Sequence, residues 1–173
     1  MRNHHLFHAA EGALGGLIGT AFMMQGLGLA SKLPEPMRPP SPTDDPGEFM
    51  TRKAESILGR SLPQPAHDVV AHGLHWGYGT TWGTLLGLGT PYMKSWTHAL
   101  LAGAAMGAAS WAAGYAGWLP ATGLTAPVHK QGAGHVATAL LSHVLYGVVA
   151  AIPMFAVHRW TSPRMRGLRA LLR

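Results

Sequence analysis

"HVATALLSHVLYGVVAAIPMFAV" occupies residues 135 to 157. It contains no Asp, Glu, Lys or Arg. About 20 apolar residues cross the hydrocarbon core of a bilayer as a helix. A helix is required there, because lipid offers backbone amides and carbonyls no partner. The stretch therefore reads as a membrane span, and its opening half has a counterpart elsewhere in the chain. "HDVVAHGLHWGYG", residues 67 to 79, also begins with His, places a second His eight positions later and ends in Tyr-Gly. Setting His67 on His135 puts His75 on His143, Tyr78 on Tyr146 and Gly79 on Gly147.

Outward from these two stretches the chain resolves into four apolar segments: Ala9 to Ser31, Ala66 to Gly89, Ser95 to Leu119 and Gly134 to Val157. Between their ends they hold no Lys or Arg. The expected fold is an all-α integral membrane four-helix bundle forming a single domain over residues 1–173. A soluble helical bundle would carry a polar stripe at 3.6 spacing, whereas the non-apolar positions here are mostly Gly, Ser, Thr and His. A cleaved signal peptide is the competing reading of the first segment, but its apolar run exceeds the usual 7–15 residues of an h-region. The mean hydropathy of +0.12 is low for such a protein, so the polar positions inside the segments need explaining.

Composition removes several function classes. The 173 residues include no cysteine, which excludes disulfides, thiolate metal sites and cysteine nucleophiles. Charged residues are 12% of the chain, about half the fraction usual in soluble domains. The net charge of +6 sits beside apolar segments and in no nucleic-acid recognition module, so nucleic acid is not an expected partner. No Ser-His-Asp order, phosphate loop or paired catalytic carboxylate is present, and an enzyme is not expected.

The connection from 32 to 65 differs from the rest. Its proline-rich first part is unsuited to helix. Asp45-Pro46-Gly47-Glu48 then reads as a helix start, with Asp at the N-cap and Pro at the first helical position. Met50, Ala54, Ile57 and Leu58 make one apolar face, Glu48 and Arg52 are spaced to pair, and Gly59 ends the run. A short amphipathic helix lying on the membrane surface is expected. Four spans put both termini on one side. The tail 158–173 carries Arg159, Arg164, Arg166, Arg169 and Arg173 next to a span end, which places both termini in the cytoplasm.

The internal match extends to the preceding spans. "EGALGGLIGTA" from Glu11 is similar to "HALLAGAAMGA" from His98. The chain is thus read as one two-helix hairpin present twice. Two spans per unit make the copies parallel, related by an axis along the membrane normal. His75 and His143 then lie at matching depth. Small residues four apart share their faces: Gly79 and Gly83 with the first, Ala139, Gly147 and Ala151 with the second. Such stripes let membrane helices approach closely, so the imidazoles are expected to face the bundle interior. Gly12, Gly16 and Thr20, with Gly103 and Gly107, supply the opposing surfaces.

Polar groups inside a membrane are functional candidates. One end collects Asp68, His72, His75, His135 and His143; the other holds Glu11, His98 and His158, with His8 nearby. Four roles fit imidazoles in such places. They are hydrogen bonding between helices, axial ligation of haem b by His75 and His143, a divalent metal site on Asp68-x3-His72-x2-His75 completed by His135 or His143, and proton handling. The expected function is a small inner-membrane protein whose histidine cluster responds to protons or metal. The alternative is a non-catalytic accessory subunit of a larger membrane complex, and a homo-oligomer fits either case.

"LLAGAAMGAASW" (residues 100–111), "GLTAPV" (123–128) and "SHVLYG" (142–147) resemble the closing half of the YagU-like bacterial inner-membrane proteins. "RPPSPTD" (38–44) is similar to their proline-rich segment, and "HGLHWGYG" (72–79) to their middle span. The connection from Gly47 to Gln64 departs from that pattern. The resemblance implies a multi-pass location in the bacterial inner membrane and carries no reaction.

Overall fold

Glycine, alanine and threonine decide how closely the helices of this chain approach, and the computed structural model shows where. It describes residues 2–38 and 42–161. The described residues are helical, without a strand: α1 (Arg2–Ala30), α2 (Pro46–Leu58), α3 (Gln64–Leu88), α4 (Trp96–Ala113), α5 (Leu119–Ala121) and α6 (Ala133–Thr161). A π turn, Gly114–Trp118, joins α4 to α5. Single 3-10 turns stand at Glu35–Met37, Thr90–Tyr92 and Val128–Lys130. Two helices are long and apolar enough to cross a membrane: α1, over His4–Gly26, and α6, Ala133–Thr161. The α3 and α4 segments do not reach that standard. On α3 the hydroxyls of Thr80, Thr81 and Thr84 each donate to a carbonyl four residues back at 2.8 Å, so they leave no donor unpaired.

The long helices run in alternating directions. α1 packs along both α3 and α6, and α6 also packs along α4. The start of α1, the end of α3, the start of α4 and the end of α6 meet at one end of the molecule, here termed the terminal end. There Gly87 abuts Gly12, the Trp96 and Phe155 rings meet edge to face at 5.1 Å, and His8 stands beside His158. Close approach is required at α1/α3, where a Cβ on Gly83 would stand 2.5 Å from the Gly12 carbonyl oxygen. It is required again at α4/α6, where a Cβ on Gly107 would stand 2.8 Å from the His143 carbonyl carbon. The expected packing faces Gly12, Gly16 and Thr20, and Gly103 and Gly107, are the ones used.

The buried and exposed faces invert the pattern of a soluble bundle. Glu11, Gly12, Gly15, Gly16, Gly19 and Thr20 of α1 are buried, while Leu14, Leu17 and Ile18 are exposed. Only 33% of the apolar window of α1, and 33% of that of α6, is buried. The small core comprises Leu86, Ala99, Met106, Tyr146, Ala150, Ala151, Met154 and Phe155. Pro153 sits inside α6, which continues through it.

The long connection behaves largely as its residues dictate. Asp45 caps α2, its Oδ1 accepting from the backbone N–H of Gly47 at 2.8 Å and of Glu48 at 3.0 Å. Gly59 ends the helix in the left-handed region at φ 63°. Arg52 pairs with Glu48 at 3.5 Å and with Asp44. The helix docks on the protein through small residues and leaves Ile57 and Leu58 outward. α2 seats on α3 through buried Gly47 and Thr51, while Ile57 and Leu58 of the expected apolar face are 76% and 73% exposed. Gly47 prevails because it meets the Ala71 carbonyl, leaving no room for a side chain. The Pro-rich segment crosses to the start of α6, and Thr43 N–H donates to Leu124 O at 2.8 Å. Of the expected basic tail, residues 162–173 lie outside the described residues.

Candidate functional site

Away from the terminal end, α3 and α4 diverge and enclose a cavity of about 570 Å³. Its walls come from α1 (Thr20, Met23), α2 (Met50), α3 (Leu74, His75, Tyr78, Trp82), the α4 end and π turn (Ser110, Tyr115, Trp118) and α6 (His143, Tyr146). The π turn matters here. The extra residue it inserts re-aims the helix end, and Tyr115 and Trp118 of this turn line the space. Tyr78 spans the gap, its hydroxyl donating to the Ser110 carbonyl at 3.1 Å. Tyr146 is buried, and its hydroxyl donates to the Gly79 carbonyl at 2.5 Å. The hydroxyls of Thr20 and Ser110 are spent on backbone carbonyls of their own helices. The ionisable groups left for a guest are the imidazoles of His75 and His143, beside the indoles of Trp82 and Trp118. His143 uses Nδ1 on the Ala139 carbonyl at 2.8 Å, which sets Nδ1 as its protonated nitrogen and Nε2 as an acceptor. His75 faces the cavity from α3 and also borders a neighbouring groove with Asp45, Glu48, His72 and Trp76.

The expected cluster of Asp68, His72, His75, His135 and His143 is thus only partly assembled. His75 and His143 share the cavity. His72 turns back on its own helix, Nδ1 donating to Asp68 O at 2.8 Å, and the Asp68 carboxylate accepts from the Gln64 amide at 2.8 Å. His135 donates from Nε2 to Glu35 O at 2.8 Å and so pins the Pro-rich segment. These five do not converge on one ion. Sharing a helical face over two turns spreads side chains along the axis, and Asp68, His72, His135 and His143 each find a nearer backbone or amide partner.

His67 has a different role. Its Nε2 lies 2.7 Å from Glu48 Oε2 and its Nδ1 3.1 Å from Glu55 Oε1. Both nitrogens face carboxylates, so the imidazolium form satisfies both and clamps α2 onto α3. The Glu55 carboxyl is held below its ordinary range, first by the Leu62 N–H and then by His67.

At the terminal end Glu11, His8 and His158 of the expected group come together and His98 does not. His98 is exposed, and its Nδ1 accepts from Lys94 N–H at 3.4 Å. Glu11, only 3% exposed, is met instead by His8 at 3.0 Å and His158 at 3.3 Å, with the Thr161 hydroxyl at 3.4 Å from its other oxygen. The reason is topological: α1 packs on α6, and α4 lies beyond α6. Comparison of the chain with protein-family models, curated proteins and solved structures found no match.

Proposed function

We propose that this chain is a four-helix integral protein of the bacterial inner membrane that binds a lipid-soluble ligand in the cavity between α3 and α4. His75 and His143 recognise the polar head of that ligand. One observation carries the reading: the cavity is predominantly apolar and aromatic, with two imidazoles in its wall, on a molecule whose outward surface is itself leucine-rich. In water such a surface would be an association hazard; in lipid it is the natural exterior. A space opening toward acyl chains fills from the bilayer, and an imidazole in low dielectric orients a hydrogen-bonding head strongly. The inner-membrane location rests on the resemblance to YagU-like proteins, and the cytoplasmic termini on the basic tail.

The duplication reading is supported by matched contacts. Gly16 lies against Gly79 and Gly83, and Gly103 lies against Gly147 and Ala151. These are equivalent positions in the two halves. The α1/α6 and α4/α3 pairs are then counterparts, one closed and one open. Gly15 and Gly19 close the first against Ala150 and Tyr146. In the second, Tyr78 and the π turn prop the helices apart, and the cavity marks this departure from symmetry.

The test is to purify the full chain in lipid nanodiscs, extract it with organic solvent and identify retained small molecules by mass spectrometry. Visible spectra are recorded in parallel. The expected result is one lipid-phase molecule per chain, reduced at least severalfold in a His75→Leu/His143→Leu variant. A Soret band lost in that variant would identify the occupant as bis-histidine haem b. A wild-type protein retaining no stoichiometric molecule would refute the proposal.

A further inference from the structure

The terminal end holds the one set, among the described residues, of three or more His, Asp or Glu side chains whose ligand atoms lie close enough for a single ion: His8, Glu11 and His158, within 4.8 Å of one another. We propose that these three residues form a divalent transition-metal site of the zinc class, closing α1 onto α6. No part of this depends on the cavity ligand.

Four observations converge on it. The first is spacing. Tetrahedral zinc with bonds of about 2.0–2.1 Å puts neighbouring ligand atoms about 3.3–3.4 Å apart. His8 Nδ1 and His158 Nδ1 stand 3.0 and 3.3 Å from Glu11 Oε2, so these two edges match within a few tenths of an ångström, and all three ligand atoms lie within 4.8 Å of one another. The second is charge. The Glu11 side chain is 2% exposed, and a buried carboxylate is costly unless paired with positive charge. An imidazolium or a bound dication supplies that charge, and the dication does so with both rings neutral. The third is rigidity. His8 and Glu11 are one helical turn apart on α1, and the His158 ring stacks on Phe155 at 6.0 Å and 22°. The fourth is donor chemistry. Two imidazoles and one carboxylate select zinc, cobalt or iron over magnesium and calcium, which prefer all-oxygen ligation. Three protein ligands leave a position for water or an exchangeable ligand, as in sites that are not purely structural.

The probe is cobalt(II), added to the full metal-free chain in detergent and followed by its visible ligand-field absorption. One saturating equivalent is expected, displaced by zinc. His8→Ala and His158→Ala should each weaken cobalt binding at least tenfold. Glu11→Gln should do the same, but its burial puts folding at risk, so the two more exposed histidines carry the test and circular dichroism checks helix content in each variant. His4→Ala/His5→Ala and His72→Ala should bind as wild type does. Zinc should raise the thermal midpoint of the wild type and leave those of His8→Ala and His158→Ala unmoved. Binding unaffected by His8→Ala and His158→Ala, or lost in His4→Ala/His5→Ala, would overturn the assignment. So would a wild-type titration without saturable absorption.

Discussion

Gly83→Ala is the most direct test of how the bundle is built. Gly83 lies where α1 and α3 cross: a Cβ there would overlap the Gly16 Cα and stand 2.5 Å from both Gly16 N and Gly12 O. Ordinary contact begins at 3.4 Å, so the helices must part by about 1 Å over a turn or more. These are backbone atoms on both sides and cannot rotate away. Overpacking of this kind costs about 1–3 kcal/mol, since dispersion along the seam falls off steeply with separation. Gly73→Ala on the same helix meets nothing within 4 Å and should gain about 0.5–1 kcal/mol from helix propensity. The assay is reversible unfolding in mixed micelles, comparing both variants with wild type. Equal stability of the two variants would mean that α1 and α3 do not cross at Gly83 and that the helix arrangement is wrong.

Three further outcomes are expected. Leu145→Lys, at the middle of α6 and 42% exposed, should oppose membrane insertion by about 2.5–3.5 kcal/mol; an insertion assay finding no loss would favour a water-soluble fold. Tyr146→Phe keeps the ring and removes the inter-helix bond to Gly79 O, which keeps only its bond within α3, so it should destabilise by about 0.5–1.5 kcal/mol, and a neutral unfolding result would contradict that bond. Glu55 has its carboxyl lowered from 4.5, so its contribution to α2 docking is complete above 4.5 and is lost as pH falls through the lower folded value. Distance measurement between spin labels at Leu58→Cys and Val69→Cys, in a chain without native cysteine, should show α2, on acidification from neutral pH, released only below pH 4.5; acid release beginning between neutral pH and 4.5 would exclude the carboxylate as its anchor.

Much of the scaffold was legible because its causes are local. Asp45 caps and Gly59 terminates α2 through atoms within a few residues. The small-residue stripes of α1, α3, α4 and α6 declare which faces pack, since a missing side chain is visible in sequence. Ile57 and Leu58 mark an apolar face that the protein leaves exposed, whereas the contact with α3 is made by Gly47 and Thr51.

The partners of polar side chains were less legible. Glu11, His98 and His158, with His8 nearby, were grouped by sequence at one end, yet sharing an end does not make neighbours: α1 packs on α6, and His98 on α4 stays apart. The polar capacity of Asp68 and His72 is taken by partners within one helical turn, which a pattern of ligand types does not reveal. The amino-acid order by itself determined helices, caps and contact faces, because these follow from backbone geometry over one or two turns. Only the tertiary structure decided that His75 and His143 share a cavity and that Glu11 meets His158, 147 residues away, because both depend on which helices become neighbours.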